Sequence, residues 1–377
     1  MKAERLEMEG QSDRLESLDV LRGFDMFFIT GGSLLLAAIG TLVAGNDHCW
    51  LATQMQHVQW EGLHLFDLIF PLFLFITGVT FPFSTAKRLA RGEGKADIAR
   101  NILRRALTLV VLGVLYENVQ AMDWPNFRVW SVIGRIGVVW AAAALVTLYC
   151  RPRTGVVVVL TILVGWWLLL RMVPAPGSEP GLDPIGVQDA CLSAWVDVHW
   201  LTTAHRHEGG LATLAMLPTA FFGIWAGEYL RRTEEGLTPA GKVLRMLAVS
   251  VAMVVLGAVW AIPSWGMPIV KIIWTGSYAL VSGGISLALL AVFHWLVDIR
   301  GWKTWCFFFK VIGVNAIAIY FVSRFVPFRS VGLFFLGGLA TASAMPGWEA
   351  FVGALGRCAS GWLFLLFLYR HRIFFKV

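Results

Sequence analysis

The stretch LFDLIFPLFLFITGVTFPF, residues 65–83, contains one charged side chain, Asp67. As a helix, a run of this length crosses the roughly 30 Å hydrocarbon core of a bilayer. Similar runs recur along the whole chain of 377 residues, of which 57% are hydrophobic and 15% charged. A soluble domain normally carries about 25% charged residues. The sequence therefore predicts a polytopic membrane protein and excludes an ordinary cytosolic enzyme.

The continuous apolar runs predict an all-α membrane helix bundle, because a membrane β-barrel would show segments of about ten alternating residues. No repeat or low-complexity linker divides the chain, so we expect a single domain over 1–377. An apolar stretch at 331–344 is short for a span and predicts a re-entrant or interfacial segment. Residues 174–208 form an extracytoplasmic insert. The ten predicted spans are 23–45, 65–83, 103–117, 129–149, 155–173, 209–230, 243–262, 274–297, 305–326 and 350–369.

The basic residues fall mainly in alternate connecting segments. Of the 31 Lys and Arg residues, 23 lie in segments that face the cytoplasm if the N-terminus is inside, as the positive-inside rule requires. Residues 1–17 are hydrophilic and lack the apolar core of a cleavable signal peptide. We therefore expect both termini in the cytoplasm. The net charge of +7 then reflects topology and lipid contact, and no nucleic-acid partner is expected.

The five cysteines show no spacing typical of a metal site. Cys49 and Cys191 fall in predicted outside loops, where an oxidising compartment would permit a disulfide. Free thiols buried among apolar side chains are the favoured interpretation. His57, Glu61 and His64 have the spacing i, i+4, i+7, which is a weak zinc signal without a further ligand. The sequence therefore predicts no bound metal.

Ionisable side chains at membrane depth are costly, so each needs a partner or a use. The richest group precedes the second span, where His57, Trp60, Glu61, His64 and Asp67 recur at intervals of three or four. On a helix they would share one face and present an imidazole, carboxylates and an indole at the membrane boundary. This pattern fits a base or nucleophile site, and equally an interfacial belt of Trp and His beside a helix start.

Other polar residues lie at the edges of spans or within them. Asp19 and Arg22 stand three residues apart at the start of the first span, which is typical of an ion pair. Arg135 lies inside a span without an adjacent acid, so anion binding and a structural pairing are both open. Asn315 is an amide that would join helices or contact a ligand. A further cluster at the eighth span comprises Lys271, Trp274, Thr275, Ser277 and Tyr278.

Seven stretches, taken in order, carry a family resemblance. They are SLDVLRG, HVQWEGLHLFDLIFPLFLFITG, RVWSVIGRIG, HEGGLATLAMLPTAFFGIWAG, KIIWTGSYALVSGG, GVNAIAIY and YRHRIFFKV. Together they resemble the heparan-α-glucosaminide N-acetyltransferase family of membrane acetyltransferases, in particular its bacterial members. The most specific blocks are those that begin at His57 and at Lys271. Where family members commonly carry Asp-Pro-Glu-Gly, this chain keeps the Glu and Gly as Glu208 and Gly209.

The resemblance implies transfer of an acetyl group from cytosolic acetyl-CoA to an amino sugar or related glycan on the other side of the bilayer. It also implies that the catalytic residue is His57, either as general base or as a nucleophile that is itself acetylated. Asp67 or Glu61 would hold the second ring nitrogen. The expected location is the bacterial inner membrane, acetyl-CoA is the expected co-substrate, and a homodimer is left open.

The remaining polar residues are assigned on the same basis. The predicted donor contacts are Arg22, Arg135, Trp60 and Asn315. The predicted acceptor contacts are Glu208, Lys271, Trp274, Ser277 and Tyr278. Lys271 and Tyr278 would also help Arg135 to bind phosphate or to polarise the thioester carbonyl.

Two other classes of protein stay open at this point. A secondary transporter of a small anionic or sugar solute also needs interior cations, but should show repeated halves with broken helices, which this chain lacks. A scaffold membrane protein would not require His57.

Overall fold

The computed structural model describes residues 15–119, 127–201, 210–232, 238–262 and 266–375. Over these ranges the secondary structure is helical, with two isolated bridges and no strand. The α-helices are α1 (Glu16–Phe27), α2 (Ser33–Ala44), α3 (Trp50–Gln54), α4 (Ile69–Ala90), α5 (Lys95–Asn118), α6 (Val132–Tyr149), α7 (Pro152–Met172), α8 (Leu192–Val196), α9 (Ala212–Ala215), α10 (Leu217–Arg231), α11 (Pro239–Trp260), α12 (Gly276–Phe293), α13 (Cys306–Val314), α14 (Ala316–Val322), α15 (Phe328–Ala340) and α16 (Trp348–Arg370). Two short segments are 3₁₀-helical, Leu65–Leu68 and Gln188–Ala190. Three are π-helical, Phe28–Gly32, Asp197–Leu201 and His294–Ile299.

Within the described ranges, 7 helical segments are long and apolar enough to cross a membrane. They are Glu16–Ala44, Leu65–Ala90, Val132–Tyr149, Pro152–Met172, Pro239–Trp260, Gly276–Ile299 and Trp348–Arg370. This confirms the predicted class of polytopic helical membrane protein.

The other three predicted spans correspond to helices that are not among these seven segments. Span 103–117 lies within α5, which is 24 residues long and begins with a charged segment. Span 209–230 corresponds mainly to α10, which has 15 residues. Span 305–326 is divided into α13 and α14. The count of ten spans and the side on which the termini lie stay predictions.

The first span is interrupted between α1 and α2. At Gly31 the backbone has a φ of 146°, a conformation that glycine adopts more readily than other residues. Arg357 of α16 donates a hydrogen bond from Nε to the Thr30 carbonyl, at 3.1 Å. An arginine of one membrane helix thus satisfies a carbonyl at the interruption of another, where water is scarce.

Helices α1 and α13 pack at very short range through two glycines. A Cβ added to Gly23 would clash with the Phe309 carbonyl, and one added to Gly313 would clash with the Asp19 carbonyl. Small residues of this kind let two backbones approach closely in a membrane. The contact brings the start of α1 next to α13.

Asn315 separates α13 from α14 and joins them to the end of the chain. Its Nδ2 donates to the Ile373 carbonyl at 3.0 Å, and its Oδ1 accepts from the Phe375 amide at 3.1 Å. The side chain is 1% exposed. The Asn315 amide therefore joins the broken helix to the C-terminal segment. Its predicted contact with acetyl-CoA stays a prediction.

The apolar stretch predicted at 331–344 lies largely in α15, which has 13 residues. It packs against α16, where Gly332 and Gly356 bring the two backbones into contact. Its length is below that of a full span. Its entry into the membrane from one side stays a prediction.

We expect Gly313→Ala to lower the free energy of unfolding by about 1–3 kcal/mol, because overpacking at a close helix contact forces the backbones apart. The measurement is the thermal midpoint of the purified protein in detergent. Gly337→Ala in α15 is the matched control, since its added Cβ meets nothing within 4 Å. An unchanged midpoint for Gly313→Ala would contradict the observed packing of α1 on α13.

Candidate active site

The centre of the site is a hydrogen bond between an exposed imidazole and a buried carboxylate. His57 Nδ1 lies 2.7 Å from Asp67 Oδ1. The His57 side chain is 53% exposed and the Asp67 side chain 1%. The second oxygen, Oδ2, accepts from the backbone amides of Val58 at 3.3 Å and His64 at 3.1 Å. The carboxylate is therefore held from both sides, and it fixes one nitrogen of the ring.

The segment between His57 and His64 is not a helix, so the predicted common helical face is wrong. Gly62 has a φ of 122° and its amide donates to the Ile269 carbonyl at 2.9 Å. Glu61 forms an isolated antiparallel bridge with Val270. Pairing with a distant segment replaces the local helical bonds, and it leaves the Glu61 side chain exposed.

Lys271 completes a cluster of three charged or titratable groups. Its Nζ lies 3.1 Å from Asp67 Oδ1 and 2.9 Å from His57 Nδ1. The side chain is 17% exposed. The Lys271 ammonium and the Nδ1 atom of His57 thus lie within hydrogen-bond distance of the same carboxylate oxygen, and the imidazole donates to it in the tautomer that carries the proton on Nδ1. With Nδ1 donating to Asp67, the lone pair of the neutral ring is on Nε2.

Three buried polar side chains follow Lys271 in the chain and hydrogen-bond to the segments around it. Tyr278 donates its hydroxyl to the Asp67 carbonyl at 2.7 Å. Ser277 donates to the Pro268 carbonyl at 3.0 Å, and Trp274 donates to Thr219 at 3.2 Å. All three side chains are buried. These hydrogen bonds hold the segments of the site together. Contact of the three side chains with the acetyl acceptor stays a prediction.

A large cavity, of about 1150 Å³, is lined at one end by His57 and Lys271. It follows the face of α4 from Ile69 to Ser84, a rise of roughly 22 Å at 1.5 Å per residue. Tyr116 and Tyr320 line it as a stacked pair with ring centres 4.5 Å apart. We name its two ends after His57 and Glu16.

The Glu16 end of the cavity is rich in cations. The cationic side chains there are Arg22, Arg105, Lys303 and Lys310. Arg22 forms the predicted ion pair with Asp19, at 3.1 Å. The guanidinium of Arg105 lies 4.7 Å from the centre of the Trp140 ring, which stabilises a cation in a desolvated position.

The other predicted donor residues lie outside the cavity wall. Arg135 is 5% exposed and its guanidinium lies 5.2 Å from the ring centre of Phe70, which does line the cavity. Trp60 donates from its indole to the Ile185 carbonyl at 3.0 Å and so joins the site to the insert that follows α7. Glu208, a predicted acceptor contact, lies outside the described residues. Their direct contact with a ligand stays a prediction.

In the sequence, Arg105, Lys303 and Lys310 are part of the charge bias that predicts topology, and nothing marks them as site residues. Tyr116 and Tyr320 are ordinary apolar-span residues by pattern, so the sequence does not predict them either. Two features of the sequence point to the residues that line the cavity. Phe66, Phe70, Phe73, Thr77, Thr80 and Ser84 follow helical spacing along one face, and Glu16 shares a predicted cytoplasmic boundary with Lys303 and Lys310.

The five cysteines are free thiols, as favoured from the sequence, but only Cys191 and Cys306 are buried, and Cys150 is exposed. Burial raises the pKa of the Cys191 thiol, which keeps it neutral and unreactive. Among the described residues, no group of three or more His, Cys, Asp or Glu side chains could hold a metal ion. The absence of a metal from the working protein stays a prediction.

Comparison with known proteins gives two mammalian relatives, while no family model matches the chain. The human protein heparan-alpha-glucosaminide N-acetyltransferase is 24% identical over 366 residues, which cover 81% of this chain and 52% of the human protein. The mouse protein of the same name is 25% identical over 365 residues, which cover 82% of this chain and 53% of the mouse protein.

The chain resembles heparan-alpha-glucosaminide N-acetyltransferases. It spans about half the length of the relatives it matches. The resemblance stated from the motifs is confirmed. What these N-acetyltransferases act on is a property of those proteins, and its extension to this chain is a proposal.

We expect Tyr278→Phe to lower the free energy of unfolding by about 1–3 kcal/mol, because it leaves the buried Asp67 carbonyl without its hydroxyl donor. Thermal unfolding in detergent measures the change. Tyr149→Phe is the matched control, since Tyr149 also donates to a backbone carbonyl, that of Lys95 at 3.3 Å, but at an exposed position. Equal midpoints for the two variants would contradict the buried bond.

Proposed function

We propose that this chain is a membrane acetyltransferase that moves an acetyl group from acetyl-CoA to the primary amine of an amino sugar or related glycan. The observation that carries the proposal is the His57–Asp67–Lys271 cluster at one end of a long cavity whose other end is cationic. The names of the two mammalian relatives, both N-acetyltransferases, support the same chemistry.

The cavity suits the shape and charge of the donor. Acetyl-CoA has an anionic nucleotide at one end and a thioester at the other, joined by a thin pantetheine arm. The cations at the Glu16 end would attract the phosphates. The arm would follow the wall formed by α4 and the Tyr116–Tyr320 pair, so that the thioester reaches His57.

His57 would act as the general base on the acceptor. The acceptor ammonium first loses one proton to solvent. The neutral amine then attacks the thioester carbonyl while Nε2 takes a second proton from its nitrogen, and a C–N bond forms as the C–S bond breaks. The imidazolium passes that proton to the leaving CoA thiolate, so the products are the amide and the CoA thiol. Asp67 holds Nδ1 throughout, so the ring presents Nε2 to the acceptor.

Lys271 would stabilise the charge that develops on the carbonyl oxygen. Its ammonium lies at the same end of the cavity as His57, and Asp67 limits the positions that it can take. A fixed cation in a poorly solvated site stabilises an oxyanion more than water does.

The proposed orientation has ten spans, both termini in the cytoplasm and the Glu16 end of the cavity facing the cytoplasm. Support comes from the bias of Lys and Arg residues to alternate segments. Acetyl-CoA then enters from the cytoplasm and the acceptor binds outside. We propose the bacterial inner membrane as the location, on the resemblance to bacterial family members.

We expect His57→Ala to reduce turnover at least about 10²-fold, because a positioned base is typically worth 10²–10⁴-fold. The measurement is consumption of acetyl-CoA by the purified protein in detergent with glucosamine as acceptor. His48→Ala is the control, since the His48 side chain is 93% exposed. If a folded His57→Ala protein keeps more than about half the activity, the scaffold interpretation is favoured.

We expect a cysteine at position 372 to be protected from an impermeant thiol reagent added to intact cells. The background is a variant whose five native cysteines are replaced, and Arg372→Cys reports the C-terminus. Asp47→Cys, in the exposed segment after the first span, should be labelled from outside. Labelling of position 372 from outside would exclude a cytoplasmic C-terminus.

A further inference from the structure

One carboxylate lies between two lysines at the cationic end of the cavity. Glu16 Oε1 is 2.6 Å from Lys310 Nζ, and Glu16 Oε2 is 2.7 Å from Lys303 Nζ. All three residues line the cavity that begins at His57. The two ammonium groups are therefore already arranged around an anion, and that anion belongs to the chain itself.

The position of Glu16 is set by the fold as well as by the lysines. The next residue, Ser17, donates its amide to Asp298 Oδ1 at 3.2 Å, which caps the start of α1. Asp298 is in turn held by His294 at 2.8 Å. Glu16 is thus fixed independently at the start of its helix, so its carboxylate remains near the lysines when a ligand competes for them.

The two lysines are also fixed in different ways. Lys310 belongs to α13, whose backbone is in close contact with α1 at Gly23 and Gly313. Lys303 precedes that helix and is more exposed, at 58% of its side chain. The hydrogen bond to Glu16 raises the pKa of Lys303.

We propose that Lys303 and Lys310 form a subsite for a phosphate group of the donor nucleotide, and that Glu16 is an internal anion which this phosphate displaces. The inference rests on the proposed function and adds to it a site and a competitor. A phosphate carries more negative charge than a carboxylate and accepts charge-assisted hydrogen bonds from both ammonium groups. Binding exchanges one anion for another. Glu16 therefore lowers the affinity for the acetyl donor and favours release of CoA after transfer.

The test is calorimetric titration of the full-length protein in detergent with CoA and with pantetheine, which lacks phosphate. Glu16→Gln keeps the size of the side chain and removes its charge, and it should bind CoA about tenfold more tightly. Its affinity for pantetheine should not change. Glu93→Gln is the matched control, because Glu93 pairs with Arg88 at 2.7 Å on the same predicted side and does not line the cavity.

A second variant keeps the proposal falsifiable should Glu16→Gln be unstable. Lys303→Gln combined with Lys310→Gln should weaken CoA about tenfold or more and leave pantetheine unchanged. In that background Glu16→Gln should no longer tighten CoA, because the coupling between the sites is lost.

Three results would overturn the proposal. If the wild-type protein binds CoA and Glu16→Gln does not bind it more tightly, only the role of Glu16 and its lysines fails. If the wild-type protein does not bind CoA at all, the proposed donor fails as well. If phosphatidylglycerol added to the micelles abolishes the effect of Glu16→Gln on CoA, the lysine pair belongs to a lipid headgroup.

Discussion

The buried carboxylate of Asp67 is the group on which the candidate site depends. Four donors reach it: the ring of His57, the ammonium of Lys271 and two backbone amides. A buried charge that loses its partners costs several kcal/mol, so these contacts stabilise the fold. The same contacts orient the imidazole. Stability and chemistry at this point therefore rest on one set of bonds.

The cavity extends this arrangement through the helix bundle. Its two ends differ in chemistry, with an imidazole at one and several cations at the other, and apolar and aromatic side chains lie between them. Low-dielectric walls focus the field of such charges along the cavity. Arg105 and Arg135 lie over aromatic rings, and cation–π contact stabilises a guanidinium at a desolvated position.

The pairing of His57 with Asp67 shows how a sequence argument can select the right residues for the wrong local reason. Spacings of three and four suggested one helical face, which requires regular i, i+3 and i, i+4 contacts. The chain is instead extended at Glu61, where it pairs with Val270. Lys271 comes from 204 residues further along the chain than Asp67, a separation that no local pattern reports.

The sequence by itself determined the class of the protein, because hydropathy is a property of each short segment and needs no contact to be detected. It also identified His57, Asp67 and Lys271 as chemically unusual, since ionisable groups at membrane depth are costly wherever they are. Only the tertiary structure decided that His57 and Lys271 converge on one oxygen of Asp67, that Trp274, Ser277 and Tyr278 make buried bonds behind the site, and that Glu16 lies between two lysines of the cavity. Those relations arise from close packing of helices far apart in the chain, and their geometry depends on every element between them.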